Sequence, residues 1–444
     1  MKHIIRHKVK ESLAILLISF LSFSGLTAQE TKAGYTLDQL ISEALKNNYD
    51  IRVSHTDLDI SELRNTIGNA GMLPSLTWES SFNNSLNTRY DNEDPTGLLQ
   101  NGVRLNWVLF HGFSAHVRKD RLETLEALSG GNLALVVENT IQAVVLAYYR
   151  ALFEEEQRSL LREVMQLSED RLQYVEDGVS LGTTSSYDAL QARSAWLTDK
   201  AALLEQEVAV LTSVRELKYL TGMQENTDLS ISGDLSFQAS QFSLDQLLGL
   251  IETNNQNIRN QYLNLSLLEK QRVLEQRSRY PRLSTNAGAT QNNHPDAFNP
   301  GNDLPGATDG YLSYYANFSL SFTLFDGDRV NRNIQIARME EAIGQTNLEE
   351  MKHRLQNRLL NLYDTYQVNR ELVEVGKENM ETNRVNMQLS EERFKAGAIN
   401  SFNFRDVQLS YLQTSLNYYR SIINLVSTHT DLVRITGGII EEYE

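Results

Sequence analysis

The sequence predicts a mainly α-helical chain with a transmembrane β-barrel portion, built as two tandem repeats of long coiled-coil-like helices plus a β-hairpin, four strands per chain. Three observations carry this expectation. The six prolines stand at 74, 95, 281, 295, 300 and 305, which leaves 96–280 and 306–444 open to long helices. Blocks of sequence return at a nearly fixed offset. Four stretches alternate apolar and polar residues over lengths that suit tilted membrane strands.

The chain opens with Lys2, Arg6, Lys8 and Lys10, an apolar run from Leu13 to Leu21 and the small-residue end Gly25-Leu26-Thr27-Ala28. This reads as a secretory signal peptide over 1–28, although Leu26 is larger than the residue preferred three before a cut. The alternative, a membrane anchor, needs close to twenty apolar residues, and Ser19, Ser22 and Ser24 interrupt the run. No other stretch of the sequence approaches a spanning helix. A mature protein that meets a membrane must then do so through strands or an amphipathic surface.

The 444 residues are 41 % apolar and 22 % charged, with a formal charge of −16. Loss of residues 1–28, with their four basic groups and one acidic group, leaves −19. So acidic a chain repels a phosphate backbone, and no nucleic-acid partner is expected. Without a single cysteine it can form no disulfide framework, thiolate metal site, cysteine nucleophile or lipidated cysteine. The lack also suits an oxidising compartment.

Tyr35-Thr36-Leu37-Asp38-Gln39-Leu40 returns as Phe242-Ser243-Leu244-Asp245-Gln246-Leu247, Asn47-Asn48 as Asn254-Asn255 and Pro74 as Pro281, all offset by 207. Further on, Leu109-Phe110-His111-Gly112 matches Leu324-Phe325-Asp326-Gly327, Tyr148 matches Tyr363, Gly182 matches Gly397, and Leu220-Thr221-Gly222 matches Ile435-Thr436-Gly437, offset by 215. The extra eight residues fall between Pro74 and Leu109 or their counterparts, in a segment rich in Pro, Gly, Asn and Asp, where a loop absorbs them. Each copy reads as short helix, helix, strand, turn, strand, very long helix, helix.

In the second copy, about 330–395, Leu359, Tyr366, Val373, Met380, Met387 and Phe394 recur every seven residues. A strict seven-residue period imposes left-handed coiled packing. After Gly397 the pattern resumes in two rows, Leu409, Leu416 and Ile423 beside Leu412, Tyr419, Val426 and Val433, and the first copy echoes it with Leu197, Leu204 and Leu211. Sixty-odd residues make a rod of roughly 95–100 Å, longer than a globular domain needs. The helices alone fit an extended scaffold equally well.

The strands decide between these. Leu76, Trp78 and Phe82 alternate with Thr77, Glu79 and Asn83, and Val103, Leu105, Trp107 and Leu109 with Arg104, Asn106 and Val108. In the second copy Leu312, Tyr314, Ala316, Phe318, Leu320, Phe322 and Leu324 share one face, opposite serines, Tyr315, Asn317 and Thr323; the partner strand, from Leu283, is weaker. Aromatics near the strand ends suit interfacial girdles, and the polar face would line water. A soluble hairpin packed on the helices remains the alternative. Four strands cannot close a barrel, for which about eight is the working minimum, so a spanning chain must oligomerise; two copies bring eight strands and three bring twelve.

Taken together, the signal peptide, the two copies, the hairpins starting at Pro74 and Pro281, and the long helix after Leu-Phe-x-Gly resemble the TolC-like outer membrane efflux protein family over the whole mature chain. So do the tip sequences Leu181-Gly182-Thr183-Thr184-Ser185 and Ala396-Gly397-Ala398-Ile399-Asn400, followed by Tyr187-Asp188-Ala189-Leu190-Gln191-Ala192 and Phe402-Asn403-Phe404-Arg405-Asp406-Val407. The resemblance implies a first repeat over 29–240, with strands near 74–90 and 98–111, and a second over 241–444, with strands near 281–293 and 311–325. It implies a homotrimer closing as a 12-stranded barrel in outer membrane lipid and a 12-helix tunnel across the periplasm, shut at rest at its tip. A periplasmic adaptor protein would meet the tips and an inner-membrane transporter would supply energy. The channel would be a passive duct for small molecules or secreted polypeptides.

For individual residues, the resemblance places Gly182, Thr183, Thr184, Gly397, Ala398 and Ile399 at the helical tips and adaptor contact, and Asp406, Asn403, Asp188 and Phe394 at the periplasmic gate. Three Asp406 carboxylates would form a cation-attracting ring, partly neutralised by the adjacent Arg405; a merely solvated aspartate is the alternative. Asp188 could cap its helix or bond a neighbouring hairpin. Phe394 and Ile399 have no polar group for gate bonds, so a latch there would be hydrophobic. Trp78, Leu105, Trp107, Phe318 and Phe322 would face lipid.

Nothing in the sequence suggests an enzyme, a cofactor or a metal. His111 and His116 are five apart, about 140° around a helix, and would not share a face as ligands. Asp91, Glu93 and Asp94 before Pro95 read as a solvated outward turn rather than a divalent-ion site. No phosphate-binding glycine loop or serine elbow occurs. The competing function is a secreted periplasmic coiled-coil scaffold or adaptor without a channel.

Overall fold

A computed structural model describes residues 34–89, 92–293 and 310–443. The expected signal peptide lies outside the described residues. The elements are α1 (Leu37–Asn47), α2 (Tyr49–Arg64), β1 (Ser75–Arg89), β2 (Asn92–His111), α3 (Ser114–Ser180) and α4 (Ser186–Thr221) in the first copy. The second has α5 (Leu244–Asn254), α6 (Gln256–Arg277), β3 (Arg282–Asn293), β4 (Tyr311–Ser321), α7 (Arg329–Lys395) and α8 (Ser401–Ile435), and the chain ends in α9 (Ile439–Tyr443). The two long helices, α3 and α7, have 67 residues each, about 100 Å of rod.

Strand and helix order agree along the whole rod. The sheet runs β1-β2-β3-β4, antiparallel throughout. Next to it the helices lie in the order α2-α3-α6-α7, so each strand continues into the helix of the same rank. Toward the other end α4 and α8 replace α2 and α6, and the order becomes α4-α3-α8-α7. The layer is thus four elements wide beside the sheet and toward the tips, with α3 and α7 running its length and α1, α5 and α9 packed on it midway.

Register puts Leu76, Leu105, Ala287 and Ala316 in one cross-strand row, Trp78, Val103, Ala289 and Tyr314 in a second, and Trp107, Thr285 and Phe318 in a third, all on one face. The opposite face is polar: Arg104 pairs with Glu79 at 3.0 Å and bonds Tyr315 Oη at 3.3 Å, Gln100 bonds Asn292 at 2.7 Å, and Asn286 bonds Asn106. β1 and β4 are edges.

Two strand ends depart from expectation, each through a proline. β2 starts at Asn92 rather than near 98, so Glu93 and Asp94 lie in a strand and not in a turn. Among the described residues Pro95 pairs with Leu86 of β1, and β3 joins β2 from Leu99 onward, so no described neighbour on that side calls for its N–H. β4 stops at Ser321, which pairs with Arg282; its next partner would be Pro281, which has no N–H to donate. Phe322 therefore sits just past the strand on which it was expected.

The seven-residue row on α7 packs inward. Leu359, Tyr366, Met387 and Phe394 are buried and Val373 and Met380 half-buried. Leu197, Leu204 and Leu211 on α4 are instead exposed, because their face of the helix meets nothing within one chain. A segment of α3 does approach the character of a spanning helix, with a mean hydropathy of 1.3 over eighteen residues, contrary to the sequence reading. Its apolar side chains have a simpler use: Ile141, Val144, Val145 and Leu152 are buried against Leu40, Ile41, Val426 and Ile439 in the core midway along the rod.

The repeated motifs meet one another in this core. Asn48 Oδ1 caps α2 by accepting from the N–H groups of Asp50 and Ile51, and its Nδ2 donates to Leu220 O at 2.8 Å. Asn255 repeats this, capping α6 through Ile258 N–H and donating to Ile435 O at 2.7 Å. Gly222 and Gly437 follow with φ of 67° and 76°, and a Cβ on either would lie 2.4–2.5 Å from the carbonyl oxygen of Asn47 or Asn254. Replacement of Gly437 by alanine is expected to cost about 1–3 kcal/mol in denaturant unfolding, through left-handed strain plus that contact. The same change at Gly397, with φ 73° and open space around it, carries only the strain of about 1 kcal/mol.

His429 of α8 is buried among Phe237, Phe242 and Tyr366, and neither ring nitrogen has a hydrogen-bond partner. Glu442 of α9 approaches to 3.6 Å, too far for a hydrogen bond. Burial lowers the His429 pKa to about 4 and raises that of Glu442. The unfolded chain then binds the extra proton between pH ~6.5 and ~4, and stability falls with pH across that window by about 1.4 kcal/mol per unit. Glu138 of α3, raised to about 7 by burial, acts in the opposite sense. The two separate in a comparison of His429→Leu with the unaltered chain: the melting-temperature difference should widen in favour of the variant as pH drops from 7 to 5.

Candidate functional site at the helical tips

Both long helices end in the same backbone device. After α3, Thr183 N–H reaches back to Gly178 O at 2.9 Å; after α7, Ala398 N–H reaches Arg393 O at 2.8 Å. Gly182 and Gly397 take φ of 74° and 73° between them, a conformation that favours glycine at a helix end. Ser185 and Asn400 then cap α4 and α8, accepting from Asp188 N–H at 3.2 Å and Asn403 N–H at 2.9 Å. The Asp188 carboxylate accepts from Ser185 Oγ at 2.8 Å, so within this chain it serves its own helix cap.

The two tips enclose a cleft of about 840 Å³. Thr183, Thr184 and Asp188 line it from one side and Phe394, Gly397 and Ile399 from the other. Gly182 and Ala398 belong to the same turns. Asn403 and Asp406 do not line the cleft; both are exposed on α8. Leu181, Tyr187 and Phe402 are exposed around it.

Two side chains differ from expectation. Phe394 is 5 % exposed, stacked on Phe404 at 4.9 Å with the rings 5° apart and tilted against Tyr174 at 4.8 Å. It is core of the four-helix tip, where its seven-residue row directs it, and its ring is spent on internal packing. Arg405 does not neutralise the adjacent Asp406. It turns inward and grips Asp199 of α4 through two bonds of 2.6 and 2.8 Å.

Around this pair lies a buried polar cluster that the sequence reading missed. Arg405 also donates to Ser168 Oγ at 3.1 Å and Gln408 Oε1 at 3.0 Å, Gln408 Nε2 donates to Val164 O at 2.8 Å, and Ser168 donates to Asp199. Arg171, on the next turn of α3, donates to Ser401 O at 3.3 Å. Its burial and the nearby Arg405 lower its pKa to about 10, partly offset by Asp199. One signal was available: Ala192, Asp199, Gln206 and Ser213 follow one another at seven-residue spacing, and all four are buried.

The sequence model for the outer membrane efflux protein family matches residues 40–223 and 247–438. No curated protein matches the sequence. Solved structures of similar shape include the Campylobacter jejuni CmeC outer membrane channel, with a TM-score of 0.75 and 14 % identity over 90 % of this chain and 85 % of that one. The open state of the Neisseria gonorrhoeae MtrE outer membrane channel gives 0.73 and 15 %, over 90 % and 89 %. VceC, an outer membrane protein from Vibrio cholerae, gives 0.72 and 14 %, over 90 % and 96 %. With both halves of the sequence matched and the fold shared along the rod, the chain belongs to the outer membrane efflux protein family and is an efflux channel of the outer membrane.

Proposed function

We propose that this chain is one third of a passive homotrimeric export duct. The observation that carries the reading is the sheet: one face is largely apolar, with exposed side chains on β1, β2 and β4 and half-buried ones on β3, the other is polar, and β1 and β4 are its edges among the described residues. In lipid an unpaired edge leaves backbone groups unsatisfied, so β4 of one copy must join β1 of the next. Three copies close a barrel of twelve strands. Trp78, Leu105, Trp107 and Phe318 then face lipid and Glu79 and Arg104 the water-filled interior, with Phe322 at the rim.

The helices call for the same closure. Leu190, Leu197, Leu204 and Leu211 form an exposed seven-residue row on α4, and Val368, Val375 and Leu389 lie in another on α7. These helices are the outer edges of the four-wide layer, and α7 of one copy meets α4 of the next. The tip cleft, with Thr183, Thr184, Gly397 and Ile399, receives hairpins of a periplasmic adaptor, and an inner-membrane transporter supplies the energy. Cargo is of the small-molecule or secreted-polypeptide kind. Asp406, exposed and unneutralised by Arg405, forms the cation-attracting ring at the constriction.

The test is the mass of the mature protein solubilised from membrane fractions, followed by single-channel recording in a planar bilayer. A trimer of low, cation-preferring conductance is expected, and Asp406→Asn should lower the cation preference about severalfold. A soluble monomer or dimer with no bilayer activity returns the scaffold reading. An unchanged preference in Asp406→Asn removes that residue from the constriction.

A further inference from the structure

α8 is covered on one side only. Its His429 is packed by Phe237 and Phe242, Val426 and Val433 share a core with α1 and α9, and Leu425 and Leu432 share one with α5. On the opposite side Asn403, Asp406, Ser410, Gln413, Asn417 and Arg420 are all exposed. They fall in two rows of seven-residue spacing, and Arg420, nine residues before His429, is about 180° around the helix from it. Three copies of α1, α5 and α9 would fill a tube if they stood inside it, so the polar stripe is the side of α8 that lines the bore.

Charge along this stripe is sparse. Asp406 stands near the tip, and Arg420 follows fourteen residues later, about 21 Å along the helix. Of the three arginines in α8, Arg405 grips Asp199, and Arg434 bonds Asn139 and lies 3.7 Å from Asp431. Arg420 has no hydrogen-bond or ion-pair partner among the described residues.

α3 adds a second cation at the same level. Its bonds to α8 run antiparallel, Gln142 to Asp431 and Gln408 to Val164, which sets Arg420 within about one turn of Arg150. Tyr148 points to the covered side, where it donates to Ser232 O at 2.7 Å. Arg150, two residues on, is about 200° around α3 and 58 % exposed. Its partner Glu154, at 2.6 Å, is turned into the wall, 6 % exposed and also bonded by Gln206.

Resting on the reading of the chain as one third of an export duct, we infer that Arg420, with Arg150 beside it, forms a basic ring in the bore that takes up the carboxylate or phosphate groups of acidic cargo. A guanidinium meets either oxyanion through two parallel N–H bonds, and a narrow bore with low-dielectric walls strengthens the attraction. Acidic cargo that has passed Asp406 then meets opposite charge further in.

The test is bilayer recording of the purified trimer with citrate or pyrophosphate added on the barrel side, from which the bore is reached without crossing the tip. At least one of the two anions should lower the current about twofold or more, and the stronger blocker identifies the cargo group. Arg420→Gln should remove most of that block and raise the cation preference about twofold. Its side chain has no internal partner to lose, so the trimer should be recovered in normal yield. Arg420→Lys should keep the cation preference but weaken the block, because an ammonium lacks the planar fork. A block and a cation preference both unchanged in Arg420→Gln, or an unaltered trimer blocked by neither anion, overturns the inference. Absence of trimer and of conductance in the unaltered chain instead removes the duct reading on which it stands.

Discussion

Arginine in place of Phe318 should abolish recovery of the trimer from membranes. Phe318 is 73 % exposed and lies on the apolar face, in the cross-strand row with Thr285 and Trp107. A charge at the midplane of a membrane strand costs about 2–4 kcal/mol, and every copy carries it, so the assembled barrel loses about 6–12 kcal/mol. That equals the whole stability of many domains. Leu105→Arg, on the same face, should behave alike. Thr285→Ser, in the same row, tests whether disturbance of the row alone is enough, and should leave the trimer intact. The measurement is the fraction of detergent-extractable protein that runs as trimer. Normal recovery of Phe318→Arg would mean that this face does not meet lipid.

The second large effect belongs to the buried pair of Arg405 and Asp199 at the tip. Asp199→Ala leaves Arg405 and Arg171 buried near each other with no carboxylate between them. Breaking a buried pair from one side costs about 3–5 kcal/mol, because the remaining charge loses its partner without regaining water. Replacing both members by apolar residues of similar volume should restore most of that stability. Denaturant unfolding of the solubilised protein, followed at the tip by proteolysis near Gly182 and Gly397, measures both. Equal stabilities for Asp199→Ala and the unaltered chain would show that Arg405 finds another partner.

These effects rest on sites that were unequally legible. The apolar and polar faces of the sheet can be read from residues 312–321 because alternation is a local property: a pleated strand sends neighbours to opposite sides whatever it pairs with. The same holds for the buried row from Leu359 to Phe394, which needs only the period of a coiled helix. The tip glycines were also legible, since a helix end of this kind favours a left-handed residue. Phe394 was placed at the gate by resemblance, while its seven-residue row predicts burial. Burial prevailed, through the stack on Phe404.

Sequence alone therefore determined the tandem design, the two long helices and the two faces of the sheet, each of which depends on spacing within one element. Only the tertiary structure decided where β4 ends, because the proline that stops it stands just before β3. It also decided that Arg405 answers Asp199, 206 residues away, and not its neighbour Asp406. Charge alone offered both carboxylates. The packing of α8 against α3 and α4 aims the guanidinium at the one that is buried, and an ion pair is strongest where water is excluded.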